Sequence, residues 1–117
     1  MTKEEIIQQG QVAYKSSSLL NKNTMHYCPG CSHGVVHKLV AEVIEEMELG
    51  DESVGVSPVG CGVFMYKYLD IDFQEAAHGR AAAVATAIKR VLPNHLVFTY
   101  QGDGDAAGIG TNETLHA

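Results

Sequence analysis

Positive charge is scarce in this sequence: 8 Lys and Arg against 14 Asp and Glu leave a formal net charge of −6 over 117 residues. Nothing supplies a basic face to track phosphates, which excludes non-specific nucleic-acid binding. Long apolar runs are missing too. None approaches the roughly 20 residues of a membrane helix, and no signal-peptide pattern opens the chain. The expected location is therefore the cytoplasm, without membrane contact. Cysteine is limited to Cys28, Cys31 and Cys61, an odd count that argues against a disulfide framework when no export signal is present. With 45% hydrophobic and 19% charged residues the balance is globular and not disordered. The length allows one domain with one core.

Cys28 and Cys31 form a C-x-x-C pair, close enough to grip one metal ion or one face of a cluster. A zinc half-site, a redox dithiol and two ordinary buried residues compete with that reading. The dithiol fits least, because the preceding residues 15–25 are polar and rich in Ser and Asn, with no strand to lead into it. Cys61 lies between Gly60 and Gly62, a context that lets backbone approach a ligand and adds a third thiolate. Three thiolates leave a tetrahedral or cubane site one ligand short. His33 and His37 stand at helical spacing nearby. Lys38 and Glu42 share their stretch, so a solvated face is expected there.

Thr2 and Glu5 read as a capping box opening a helix over residues 3–15. Residues 16–24 have turn composition and are expected as an exposed connection. Val35, Val36, Leu39, Val40, Val43, Ile44 and Met47 then recur at helical intervals opposite acidic residues, predicting an amphipathic helix that stops at Gly50. Ser53–Ser57 reads as a short buried strand, residues 63–75 as a mixed segment, and residues 80–92 as an alanine-rich helix suited to tight packing. Residues 95–100 (HLVFTY) are near-continuously apolar, as in a parallel strand covered on both faces. Residues 102–110 form a glycine-rich turn leading to a final helix. The order predicts an α/β fold, a parallel sheet sandwiched by helices. With two confident strands, residues 1–117 are expected to be the N-terminal part of a single longer domain, of which 1–24 are a helix and connection.

The turn reads Gly102-Asp103-Gly104-Asp105 directly after a strand. A carboxylate at the carboxyl end of a parallel strand stands where open α/β sheets bind ligands. Flanking glycines admit a diphosphate to the backbone, and a following helix start favours its oxygens. Asp103 is then placed to hold Mg²⁺. A flexible surface turn would use the same residues, and the spacing is not that of a dinucleotide fingerprint. His78-Gly79-Arg80 precedes the alanine-rich helix, as a second anion contact or as an ordinary helix entry.

Together the runs CPGCSHG, SPVGCG, QEAAHGRAAAVATAIKRV and VFTYQGDGDAAGIGTNE, over about residues 25–117, resemble the thiamine diphosphate-binding β subunit of 2-oxoacid:ferredoxin oxidoreductases. The wording SPVGC and TYQGDGD is most similar to the 2-oxoisovalerate type. The resemblance implies a partial thiamine diphosphate-binding fold. It implies Cys28, Cys31 and Cys61 as three ligands of a 4Fe–4S cluster, and Asp103 as a Mg²⁺ ligand. Gly102, Gly104 and Asp105 would lie around the diphosphate, with Gly60 and His78 lining the cofactor. It further implies oxidative decarboxylation of a 2-oxoacid to an acyl-CoA, with coenzyme A as acceptor and electrons passing to ferredoxin. An α subunit and γ and δ subunits would be partners. No acid–base residue is expected in this chain, although Glu75 and Glu113 are tempting carboxylates. A second Mg²⁺ ligand and a fourth cluster cysteine are expected beyond Ala117, so this segment alone should bind both groups poorly. Gly62 stands where a serine is usual. The alternative is a small zinc-binding interaction module, which explains the cysteines but leaves the glycine turn unused.

Overall fold

The computed structural model describes residues 2–10 and 12–117. The expected capping box forms: the Thr2 hydroxyl accepts the Glu5 N–H at 3.2 Å, and the Glu5 carboxylate accepts the Thr2 N–H at 2.7 Å. Helix α1 (Lys3–Gln9) is shorter than expected, because Gly10 follows in extended conformation and glycine gives a helix little reason to continue. Residues 16–24 are largely exposed but fastened down. Ser17 is buried, Leu20 bridges antiparallel to Leu69, and the Asn21 and Asn23 side-chain amides each donate to the Lys67 carbonyl at 2.7 Å.

Helix α2 (Ser32–Glu46) follows the predicted period, yet its apolar stripe is divided. His37, Ala41 and Ile44 face inward, whereas Val35, Leu39, Val43 and Met47 each remain more than half exposed. The expected solvated face around His33 and His37 is therefore corrected. Lys38 and Glu42 pair at 3.9 Å on the exposed side, while His37 turns under a group of tyrosines that can satisfy one of its nitrogens. Ala41 joins Met65 and Leu69 in the core, with Leu20, Phe73 and Phe98 packed against them.

Strands β1 (Ser53–Ser57), β2 (Asp72–Glu75) and β3 (Leu96–Thr99) form a parallel sheet in the order β2-β1-β3. The second strand lay unseen in the mixed segment because DFQE is short and polar, as suits an edge. Gly55 in the central strand pairs with Phe73 on one side and Phe98 on the other. Those rings meet edge to face at 6.2 Å, and a Cβ on Gly55 would overlap the Phe73 ring. Helix α3 (Ala81–Val91) buries Ala81 and Ala82 and packs on β1 and β3, the close approach its alanines predict. No helix among the described residues is long and apolar enough to cross a membrane.

Candidate active-site cleft at the strand ends

From β1 the chain proceeds to β2 on one side of the sheet, while β3 lies on the other. Their outgoing loops diverge at the carboxyl ends, where open α/β sheets form ligand crevices. A cleft of about 420 Å³ occupies that place. Residues 58–62 wall it after β1, residues 100–105 after β3, His78 after β2, and His33 reaches it from α2. Gly60, Cys61, His78, Gly102, Asp103, Gly104 and Asp105, all singled out from sequence, thus line one cavity.

Their roles divide sharply. Asp103 is exposed on the cleft wall, whereas Asp105 is 2% exposed. The Asp105 Oδ1 accepts His78 Nδ1–H at 2.7 Å, the Gly79 N–H at 2.9 Å and, more weakly, the Val59 N–H at 3.4 Å. Its Oδ2 accepts the Gln101 side-chain amide at 2.5 Å. Burial alone would raise this carboxyl. The donors of Gly79, Gln101, His78 and Val59 outweigh burial and hold it below the usual carboxylate range.

The glycine-rich turn is more ordered than expected. Gly104–Ile109 winds as a π-helical turn, closed by the Gly110 N–H onto the Asp105 carbonyl at 3.0 Å, before α4 (Thr111–His116). Such wide turns recur at functional sites. Gly79 takes φ +78°, and a Cβ there would come within 2.9 Å of the Gly110 nitrogen. A Cβ on Gly110 would in turn overlap the Asp105 carbonyl. This backbone contact is what draws the His78 loop onto the turn. Arg80 does not line the cleft; its guanidinium pairs with Glu113 Oε1 at 2.6 Å, while Glu113 Oε2 has no partner among the described residues.

The cysteines converge only in part. Cys28 is exposed on the turn whose carbonyl accepts the Cys31 N–H at 3.0 Å. Cys31 Sγ lies 3.1 Å from His33 Nδ1. Burial first, then the neighbouring Tyr100 and Tyr68 and the Cys61 and Cys31 thiols, push the Tyr27 hydroxyl up. Tyr27 therefore keeps its proton, and its hydroxyl shares a hydrogen bond with His37 Nε2 at 2.5 Å. Among the described residues no three His, Cys, Asp or Glu side chains come together as a group able to hold a metal ion. Neither the cluster nor the alternative zinc site is preformed among them.

For a diphosphate and its Mg²⁺ the fit is better. A Cβ on Gly102 or Gly104 would meet nothing within 4 Å, so each glycine leaves room at the wall for anionic oxygens beside Asp103. Gly62 has a different task, since its Cβ would lie 2.7 Å from the Tyr100 ring. Sequence reasoning missed Gln101, Tyr100 and His33 as cleft residues. Adjacency to the GDGD turn could have signalled the first two; nothing local signals the third.

A parallel sheet with a carboxylate- and glycine-lined crevice at its switch point defines an open-sheet α/β protein with a ligand crevice at its strand ends. Comparison narrows this further. No family model matches the chain. It is 53% identical over 92 residues to ketoisovalerate oxidoreductase subunit VorA of Methanothermobacter marburgensis, covering 79% of this chain and 19% of that protein. It is 40% identical over 94 residues to 2-oxoglutarate synthase subunit KorB of Archaeoglobus fulgidus, covering 78% and 34%. A solved 2-oxoglutarate:ferredoxin oxidoreductase from Magnetococcus marinus, with 2-oxoglutarate, coenzyme A and succinyl-CoA bound, superposes with a TM-score of 0.78. That match has 29% identity and covers 84% of this chain and 34% of that one. Over about four fifths of its length the chain is thus similar to segments of the subunits of 2-oxoacid:ferredoxin oxidoreductases. It spans a fifth to a third of the length of these relatives.

Proposed function

We propose that this chain is the part of a 2-oxoacid:ferredoxin oxidoreductase β-type subunit that binds Mg²⁺–thiamine diphosphate. The reaction is oxidative decarboxylation of a 2-oxoacid to an acyl-CoA, with electrons leaving through a 4Fe–4S cluster to ferredoxin. The α subunit, γ and δ subunits, ferredoxin and coenzyme A are its partners. A branched substrate of the 2-oxoisovalerate class is supported by the higher identity to the ketoisovalerate enzyme than to the 2-oxoglutarate one. The observation that carries the reading is the single cleft shared by Gly60, His78 and the GDGD turn.

Bound thiamine diphosphate supplies a nucleophilic carbon and an electron sink for loss of carbon dioxide. The chain's own residues bind and orient. Asp103 would hold Mg²⁺ against the diphosphate, and Gly102 and Gly104 admit its oxygens to the backbone. His78 offers a ring nitrogen to the same cavity. Cys28, Cys31 and Cys61 would be cluster ligands, completed by groups outside this segment.

The test is calorimetric titration of Mg²⁺ and thiamine diphosphate into the protein produced with its partner subunits. Asp103→Asn should weaken Mg²⁺-dependent binding at least about 100-fold, by roughly 2.7 kcal/mol or more. Unchanged affinity and metal dependence in that variant would overturn the assignment of Asp103.

A further inference from the structure

We infer that Asp105 is a positioning residue, the buried tie that holds the cleft walls together and aims His78, and not a ligand of metal or diphosphate. The inference deepens the proposed cofactor site and rests on that reading only for what fills the cleft. Two carboxylates stand one residue apart in the same turn and face opposite environments. Asp103 is exposed to the cavity. Asp105 is buried, with Oδ1 taking donors from His78 Nδ1, the Gly79 N–H and the Val59 N–H, and Oδ2 taking the Gln101 amide.

Those donors come from the loops after β1, β2 and β3, so one side chain closes all three onto the turn. Oδ1 already accepts three hydrogen bonds, and the carboxylate has little left to give a cation. Two consequences follow for His78. Its Nδ1–H is committed to Asp105, so only Nε2 can serve the cleft. Its ring is also fixed in direction, because the adjacent Gly79 N–H is anchored by the same oxygen.

A tie made of accepted hydrogen bonds makes a prediction that a ligand role does not. In Asp105→Asn the amide oxygen can keep the three donors at Oδ1, and Gln101 can turn its own oxygen toward the new amide. This variant should retain Mg²⁺–thiamine diphosphate affinity within about tenfold, while Asp103→Asn loses at least about 100-fold. Equal losses in the two variants would overturn the inference.

A second readout needs no cofactor. In the complex carrying ¹⁵N-labelled histidine, His78 should show a protonated Nδ1 in the wild type and in Asp105→Asn. The Gly79 amide should be slow to exchange in both. In Asp105→Ala both signatures should vanish. A protonated Nδ1 and a protected Gly79 amide in a folded Asp105→Ala variant would equally overturn the inference. Wild-type protein that fails to bind Mg²⁺–thiamine diphosphate would sink the proposed function and leave these two signatures to judge Asp105 alone.

Discussion

His37 is fully buried, yet it carries the charge-forming ring of a histidine. Burial first, then the positive charge available to His33 and His26, lower its pKa from 6.5 to about 4. The surrounding rings of Tyr27, Tyr68 and Tyr100 offer no anion to reverse this. A histidine depressed in the fold contributes stability above its unfolded pKa, and that contribution is lost as pH falls from about 6.5 toward 4. Urea denaturation should therefore give a lower midpoint at about pH 5 than at about pH 7.5, and His37→Phe should flatten the difference. A midpoint level across that range in the parent protein would refute the buried neutral imidazole. The hydrogen bond between the Tyr27 hydroxyl and Nε2 is the contact that makes burial tolerable. Nδ1 has no partner among the described residues, which is the kind of deficit that a few buried groups carry.

At the scale of elements, backbone contact between Gly79 and Gly110 does what no side chain could. It seats the helix entry of α3 against the π-helical turn and brings His78 to Asp105. Gly110→Ala should cost about 1–3 kcal/mol through overpacking, since the obstacle is a main-chain carbonyl that cannot swing aside. Thermal unfolding checks this, and Gly104→Ala, whose Cβ meets open space, is the control that should stay within about 0.5 kcal/mol. Helix α2, helix α3 and strands β1 and β3 were readable because period and apolar runs depend on local residues. Strand β2 was not, since DFQE shows neither alternation nor apolarity and becomes a strand only by pairing with β1. The same division runs through the cleft. Its motif residues were visible in sequence, whereas the difference between Asp103 and Asp105 depends on which carboxylate the fold buries, and two identical residues in one turn cannot display that. Gly55 gave no sign of its task either, because Phe73 and Phe98 reach it from strands separated by a helix.

The described residues extend over 60 × 33 × 17 Å, and helices flank the sheet on both faces as expected: Leu96 and Phe98 of β3 face α2, while the alternating Val97 and Thr99 face α3, leaving the outer side of each helix uncovered. One consequence is visible beside β3. Val36, Val40, Ile44, Leu96 and Phe98 line an open apolar hollow of about 330 Å³, continuous with Leu39 and Val43 on α2. Leu39 is 51% and Val43 52% exposed, so the outer half of the helical stripe keeps its contact with water. Contiguous apolar surface of this kind binds apolar dyes and promotes association, whereas scattered single residues do not. This segment on its own should therefore enhance the fluorescence of an apolar dye and associate with rising concentration in sedimentation. Replacing Leu39 and Val43 together by Glu should remove most of both effects. Stability should fall by no more than about 3 kcal/mol, because the buried half of each side chain is worth about 0.75–1.5 kcal/mol. A larger fall in stability would place these residues inside a packed core, and unchanged dye binding would move the apolar surface elsewhere. Either result would contradict the division of α2 into a buried face around Ala41 and an open face around Leu39.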